Sequence, residues 1–502
     1  MPVHVGDSVP AALDGLCVVD LSGSLAGALT SMVLGDNGAD VITVEPLGGD
    51  GLRAFPAYAM WHRGHRSVIA DVTTASGRER VIDLTDGADV VVQDWRPHVA
   101  RRLGLDHDRL AESNPRVVTC VITGFGSAGP WSAIKGYEGV VSAKAGAFTV
   151  DGRPRFSPVP AGSFGAANGA LQGVLAALYQ REDTARGQRV EASLLQGLTA
   201  FDLYDWLAKL VPPSLMVRKG PAGVGATVYP AISGLVAFTK DGRCVQFGNF
   251  LPHQLDAFLR ATGLQEWYRD GVERSTEEVL SVARRRIHER TWDEWNEAFA
   301  RESDIAGEPH RTTEEATRHP QLVHNGDVVE IDDQKLGRTR QLGALVRLAR
   351  TPARLAESAP QPGEHDATAR FPVAARTPAP AGPRAVPAPL AGVTILELAW
   401  FYAAPFGTAL LADLGARVIK VENLEGVPHR SQTGVEEFAG VKALQGKESI
   451  ALDTSRPEGM EVLRRLVRRS DAVMRNFRQQ AAVRMKIDYD ALVGEKEDLV
   501  YL

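Results

Sequence analysis

The feature that most constrains this chain is that it contains part of itself twice. Residues 13–45 read LDGLCVVDLSGSLAGALTSMVLGDNGADVITVE, and residues 390–422 read LAGVTILELAWFYAAPFGTALLADLGARVIKVE, in register and without a gap. Gly15 aligns with Gly392, Asp36 with Asp413, Gly38 with Gly415 and Glu45 with Glu422. At a slightly different offset, the stretch 64–71 aligns with 446–453, and DVVVQDWR at 89–96 aligns with DAVMRNFR at 471–478. Three blocks in the same order define a repeat, so whatever the first copy folds into, the second begins to fold into as well.

The repeated text is α/β in pattern. VVDL and ILEL are short apolar runs suited to buried strands, each followed by small residues and a helix that ends near Gly38 or Gly415. VITVE and VIKVE supply the next strand, and VVTCVI at 117–122 supplies another, ending in the turn GFGSAGP. Strand–helix–strand alternation implies a parallel sheet covered by helices. AANGALQGVLAALYQ at 166–180 reads as a tightly packed helix, and RGQRVEASLL follows as loop, strand and helix start.

Over 225–328 the pattern changes. LVAFTKDGRCVQFG reads as a strand pair turning at Asp241-Gly242, and the charged helical text STEEVLSVARRRIHERTWDEWNEAFA follows. This is a second, smaller α+β domain. VVEIDD and GALVRLA read as strands on the return. Residues 366–389 hold six prolines and eight alanines, the composition of a semi-extended linker, and 390–502 begins the second copy. Leu502 aligns with Cys120, inside a strand, so the expectation is that further sequence or another chain completes the second sheet.

Composition narrows the function classes. Sixty-two acidic against 56 basic residues leave a net charge of −6, which excludes nucleic-acid binding by bulk charge. No apolar run approaches the ~18 residues of a membrane span, and 1–10 carries neither a basic nor a hydrophobic signal region. Three cysteines, Cys17, Cys120 and Cys244, have no metal-ligand spacing and fit a reduced, cytoplasmic enzyme. Neither DLSGSLAG nor ELAWFYAAP contains the G-x-G-x-x-G loop of a nicotinamide-dependent enzyme.

Several segments, in order, resemble the class III coenzyme A transferases, the CaiB/BaiF family: LAGALTSMVLGDNGADVITVEPLGGDGLR, HRGHRSVIADV, DVVVQDWRPHVARRLGLD, NPRVVTCVITGFGSAGP, RGQRVEASLL, HPQLVHNGDVVEID and PGEH. The resemblance covers about 10–365 as one nearly full-length unit and 389–502 as the first third of another. It implies coenzyme A and acyl-CoA as substrates rather than as a resident cofactor, with a small carboxylic acid as the acyl partner. It also implies a Rossmann-like large domain, 10–224 and 329–365, with the small domain 225–328 inserted between, and interlocked subunits, met here by a homodimer or by an intrachain pair of copies.

Coenzyme A carries a 3′-phosphate and a diphosphate, which call for arginine, lysine and backbone amides. The candidates in the first copy are Arg63, His65 and Arg66 in HRGHRS, then Arg96, Arg102 and Lys135. Trp95 has the aromatic face to lie on the adenine, and by resemblance Asp94, Trp95 and Arg96 take the family's Asn-Phe-Arg position. The second copy keeps Asn476, Phe477, Arg478 and Arg484, but has Glu448 where the first has Arg66, and a carboxylate there repels phosphate.

The family's chemistry, as the resemblance implies it, uses an aspartate that attacks the acyl-CoA thioester and passes through an anhydride to an aspartyl-CoA thioester. Counting back from the GVLAAL helix segment at 173–178, and past Val159-Pro160, that position is Ser163. No Asp or Glu occurs between Asp151 and Glu182. Serine cannot form an anhydride, and no base is evident beside it in the sequence, so Ser163 reads as a helix N-cap and the first copy as silent in acyl transfer. Tyr137 and Glu138, in KGYEGV, take the place of polar residues that face the thioester. A 2-methylacyl-CoA racemase would show histidine there. PAGVGA at 221–226 partly matches a glycine loop that covers the intermediate. Two readings stay open: a transferase whose first copy binds coenzyme A, and a non-catalytic acyl-CoA-binding scaffold.

Overall fold

The computed structural model describes residues 9–146, 149–150, 153–154, 157–201, 232–249, 251–272, 274–302, 304–355, 358–372, 387–426 and 442–502. PAGVGA and the boundary expected at 224–225 lie outside the described residues. The chain divides into two compact units: Met1–Trp206 with His319–Ile395 and Leu410–Val418, and Leu207–Arg318 with Leu396–Ala409 and Ile419–Leu502.

The first unit is built on β1 (Cys17–Asp20), α1 (Leu25–Asp36), β2 (Asp40–Glu45), β3 (Arg66–Ile69), α2 (Ala75–Asp86), β4 (Val90–Gln93), α3 (Pro97–Leu103), β5 (Val118–Thr123), α4 (Glu138–Ala145), α5 (Ala161–Thr184), β6 (Arg189–Ser193) and α6 (Leu194–Phe201). The six strands form one parallel sheet in the order β3-β2-β1-β4-β5-β6. Alternate residues of each strand face opposite sides of the sheet. Val18, Val90, Val92, Val118 and Cys120 pack with Ala166, Ala170 and Val174 of α5. Val19, Val91, Ile42 and Val68 pack on the other side with Val81, Leu84 and Leu110. Burial on both faces explains why the strands read as continuous Val and Ile runs rather than as alternating text.

Helix starts follow local chemistry. Ser24 caps α1 through the Gly27 amide, Thr74 caps α2 through the Gly77 amide, and Pro97 occupies the first turn of α3. The expected strand GALVRLA does not form. Instead Val328–Asp333 pairs antiparallel with Gly337–Leu342. Asp333 Oδ1 accepts from the Lys335 and Leu336 amides, and Gly337 takes φ +71°, so the hairpin turns there and ends at Leu342. Phe371 is buried in the core with Val81 and Leu84, so ordered packing in this unit runs into the proline-rich segment.

In the second unit, Val236–Phe238 and Cys244–Phe247 form the expected antiparallel pair, with Gly242 at φ +79° in the turn and Gly307–Pro309 added at the edge. Phe258, Ile287, Trp295 and Phe299 build its core. In the C-terminal segment five strands order as Lys447–Ala451, Arg417–Glu422, Thr394–Leu398, Ala472–Arg475, Val500–Tyr501. Under the internal alignment this is the order β3-β2-β1-β4-β5, the start of a second sheet of the same type. Among the described residues no helix is long and apolar enough to cross a membrane.

Candidate active site

Strand order in the first sheet reverses between β1 and β4, and a ligand crevice opens at the carboxyl ends of the strands at such a point. Two cavities lie there. One, of about 460 Å³, is lined by the turn after β1 (Gly23, Ser24), the turn after β4 (Asp94, Trp95, Arg96), the end of β5 (Thr123, Gly124), and Lys135, Tyr137, Glu138 and Ser163. The other, of about 430 Å³, shares Gly23, Asp94 and Trp95 and continues over β2 and β3 past Glu45, Asp50 and Val72.

Asp94 organises the shared wall. Its Oδ2 accepts from the Gly23 amide at 3.0 Å, which ties the turn after β4 to the turn after β1. Burial pushes its carboxyl up, and hydrogen bonds from Ser24 and Gly23 oppose that shift. Arg96 Nη1 donates to the Ala133 carbonyl at 3.0 Å, and Lys135 Nζ lies 6.0 Å from the centre of the exposed Tyr137 ring. Gly124 and Gly136 bring the segment before α4 onto the end of β5. A Cβ on Gly124 would lie 2.2 Å from Gly136 Cα, so this approach requires glycine.

That approach delivers Glu138 to the start of α5. Its Oε1 accepts from the Gly162 amide at 2.7 Å, and its Oε2 from the Ser163 amide at 2.9 Å and the Ser163 hydroxyl at 2.7 Å. Glu138 is also the first residue of α4, with Tyr137 as its N-cap. The carboxylate therefore meets two helix N-termini, where the macrodipole and unpaired amides favour negative charge. Ser163 is not the N-cap that the sequence suggests: α5 is capped at Pro160 without a side-chain bond, and Ser163 lies in its first turn as a donor to Glu138. A carboxylate does stand beside this serine, 25 residues away in sequence.

The other basic candidates do not line either cavity. Arg63 is buried, forked onto Asp36 at 2.8 and 2.6 Å, and donates to the Leu342 carbonyl, holding the hairpin strand to α1. His65 is buried with Nδ1 3.0 Å from Thr43 Oγ1, and burial holds it neutral, well below the usual histidine range. Arg66 pairs across the strand with Asp40 at 2.9 and 2.5 Å. In the repeat alignment Arg417 stands at the Asp40 position and Glu448 at the Arg66 position, so both signs reverse together. A cross-strand ion pair explains that reversal. Arg102 lies exposed on α3. The sequence reading missed Gly23, Ser24 and Thr123 as wall residues. Their signal was positional, each standing at the carboxyl end of a core strand. Among the described residues no group of His, Cys, Asp and Glu side chains is placed to hold a metal.

A doubly wound α/β unit with a carboxylate-bearing crevice at its switch point is the class that fold and site define. The chain belongs to CoA-transferase family III, whose model matches residues 13–366 and 390–502. It is 29% identical over 563 residues to the CoA-transferase/lyase DddD of Marinomonas sp. (strain MWYL1), covering 97% of this chain and 65% of that protein's length. It is 28% identical over 383 residues to the succinate–glutarate CoA-transferase of Agrobacterium fabrum, covering 71% of this chain and 94% of that one. Among solved structures, Rv3272 from M. tuberculosis shares the fold with a TM-score of 0.62 at 24% identity, over 72% of this chain and 99% of that chain.

Proposed function

We propose that the chain is an acyl-CoA:carboxylic acid CoA transferase in which the first copy supplies a coenzyme A crevice. The nucleotide would lie against Trp95 on the Arg96 and Lys135 side of the 460 Å³ cavity, with the pantetheine thioester running toward Glu138 in the same cavity. Trp95 offers its ring face to the adenine, while Arg96 and Lys135 offer charge to the phosphates. The observation that carries this reading is that Trp95, Arg96 and Lys135 line the same switch-point cavity as Glu138 and Ser163, whereas the adjoining cavity carries Glu45, Asp50 and Asp94 and no basic side chain.

Ser163 is not the acyl acceptor in this reading. Its hydroxyl already donates to the Glu138 carboxylate, which accepts two backbone amides as well. An aspartyl intermediate therefore belongs to a part of the system other than position 163. The names of the relatives suggest dicarboxylates as first substrates to try. The test is CoA transfer from succinyl-CoA to glutarate, oxalate and other small carboxylates, followed by chromatography of the thioesters. New thioesters are expected. CoA binding without transfer across the panel would favour the scaffold reading, for which the committed Ser163 hydroxyl is the supporting observation. Pairing of units as a homodimer or within one chain is part of the same proposal, and sedimentation of the intact chain tests it.

A further inference from the structure

Glu138 is held where the crevice needs a nucleophilic carboxylate, and the sequence offers none in the stretch around Ser163. We propose that Glu138 is the acyl-accepting residue of the first copy, an inference that rests on the crevice reading above.

The geometry suits the role. A carboxylate presents about four lone-pair sites. Three are taken by Gly162 N, Ser163 N and Ser163 Oγ, leaving one on Oε1 unclaimed among the described residues. Glu138 lines the cavity and is partly exposed, whereas Ser163 is buried beneath it. A carboxylate attacks without transferring a proton. Serine would have to give up its proton before it attacks, so acylation of Ser163 needs a proton transfer that acylation of Glu138 does not. Gly162 suits this arrangement, because a Cβ there would press on Glu138 Oε1 at 3.0 Å and on the Leu194 carbonyl oxygen at 3.1 Å.

The step balances without a further reactant. Glu138 Oε1 attacks the thioester carbonyl carbon, the C–S bond breaks, and coenzyme A leaves as thiolate from a mixed anhydride. The thiolate then attacks the Glu138 side-chain carbonyl carbon. The C–O bond to the acyl group breaks, the acid departs as carboxylate, and a glutamyl-CoA thioester remains. An incoming carboxylate reverses both steps. During each attack on the Glu138 carbonyl, the Ser163 amide and hydroxyl, which both reach Oε2, are positioned to stabilise the developing oxyanion.

The test uses the full chain with acetyl-CoA, succinyl-CoA and glutaryl-CoA in turn, each mapped by peptide mass spectrometry before and after hydroxylamine. The expected product is a hydroxamate on Glu138, absent from E138Q. In S163A it is still on Glu138 but forms about tenfold more slowly, for the loss of one hydrogen bond to a charged group. Thermal unfolding of both variants checks that they are folded, and S163A carries the test if E138Q is not. An acyl ester on Ser163, a label on another carboxylate, or no label with any of the three thioesters overturns the proposal. Calorimetric titration with CoA separates the two levels. Binding without a Glu138 label removes this inference alone, and no binding removes the crevice reading with it.

Discussion

The two copies bury different polar groups at matching positions. In the first, Asp20 on β1, Thr43 on β2, Ser31 on α1 and His65 before β3 are all buried. Asp20 Oδ1 accepts from the Ser22 amide and hydroxyl, Oδ2 is left without a hydrogen bond, and burial pushes the carboxyl up to about 6. In the second, the aligned residues are Glu397, Lys420, Thr408 and Lys447. Glu397 accepts from both lysines and from Thr408, while Lys447 also donates to Thr408 Oγ1 at 2.8 Å and the Pro405 carbonyl at 2.6 Å. One copy carries a lone buried acid among neutral partners, the other a closed charged cluster. The same strand–helix–strand frame accepts both because each arrangement is buried on an interior strand of its sheet, where hydrogen bonding rather than shape decides the cost.

A second contrast lies at the crevice itself. Both copies tie the turn after the first strand to the turn after the fourth, through Gly23 N to Asp94 in one and Trp400 N to Asn476 in the other. Where Gly23 leaves space against Trp95, the Trp400 indole lies edge-on to Phe477, with ring centres 5.6 Å apart. The tie is kept, and the space beside it is not equivalent.

The strongest way to break the first comparison is E397Q. It leaves two buried lysines with no counter-charge, and breaking a buried ion pair in this way costs about 3–5 kcal/mol. Hydrogen exchange of the strands at 394–398 and 447–451 should accelerate accordingly, and a change below about 1 kcal/mol would show that the cluster is not closed. D20N should act in the opposite direction. Because the Asp20 carboxyl is raised in the folded state from 3.8 to about 6, its contribution to stability is full below pH 4 and is lost as pH rises through about 6. That loss is on the order of 3 kcal/mol at neutral pH. D20N keeps an acceptor without the charge, so unfolding measured across pH 4–7 should lose this slope. W95A should weaken CoA binding by about 1–3 kcal/mol, the worth of one base stacked on an aromatic ring, and titration reads it directly. R66A should cost under about 1 kcal/mol of stability, as for other exposed ion pairs, and leave CoA affinity unchanged.

Much of the fold was legible because the strands are buried on both faces. CVVD, DVITVE, VVVQ and VTCVIT stand out as apolar runs whatever their neighbours, and the repeat fixed their order twice. GALVRLA misled because its apolar residues sit after a hairpin that a local Asp333–Gly337 turn had already closed. HRGHRS misled in a different way. Position along the chain marked it as basic, but Asp36, Asp40 and Thr43, which pair with those three residues, are brought near only by the parallel register of β2 and β3. The Glu138–Ser163 pair was out of reach for the same reason. Each residue was visible as a candidate, but the close approach of Gly124 and Gly136 that brings them together is a tertiary fact.

The crystal structure of the intact chain with CoA tests the central claim most directly. The expected result is the nucleotide against Trp95 and Arg96, with the pantetheine arm running along the same cavity and the sulfur ending beside Glu138. CoA bound away from the β1–β4 switch point, or with its sulfur remote from Glu138, would contradict the assignment of the first copy as the coenzyme A crevice.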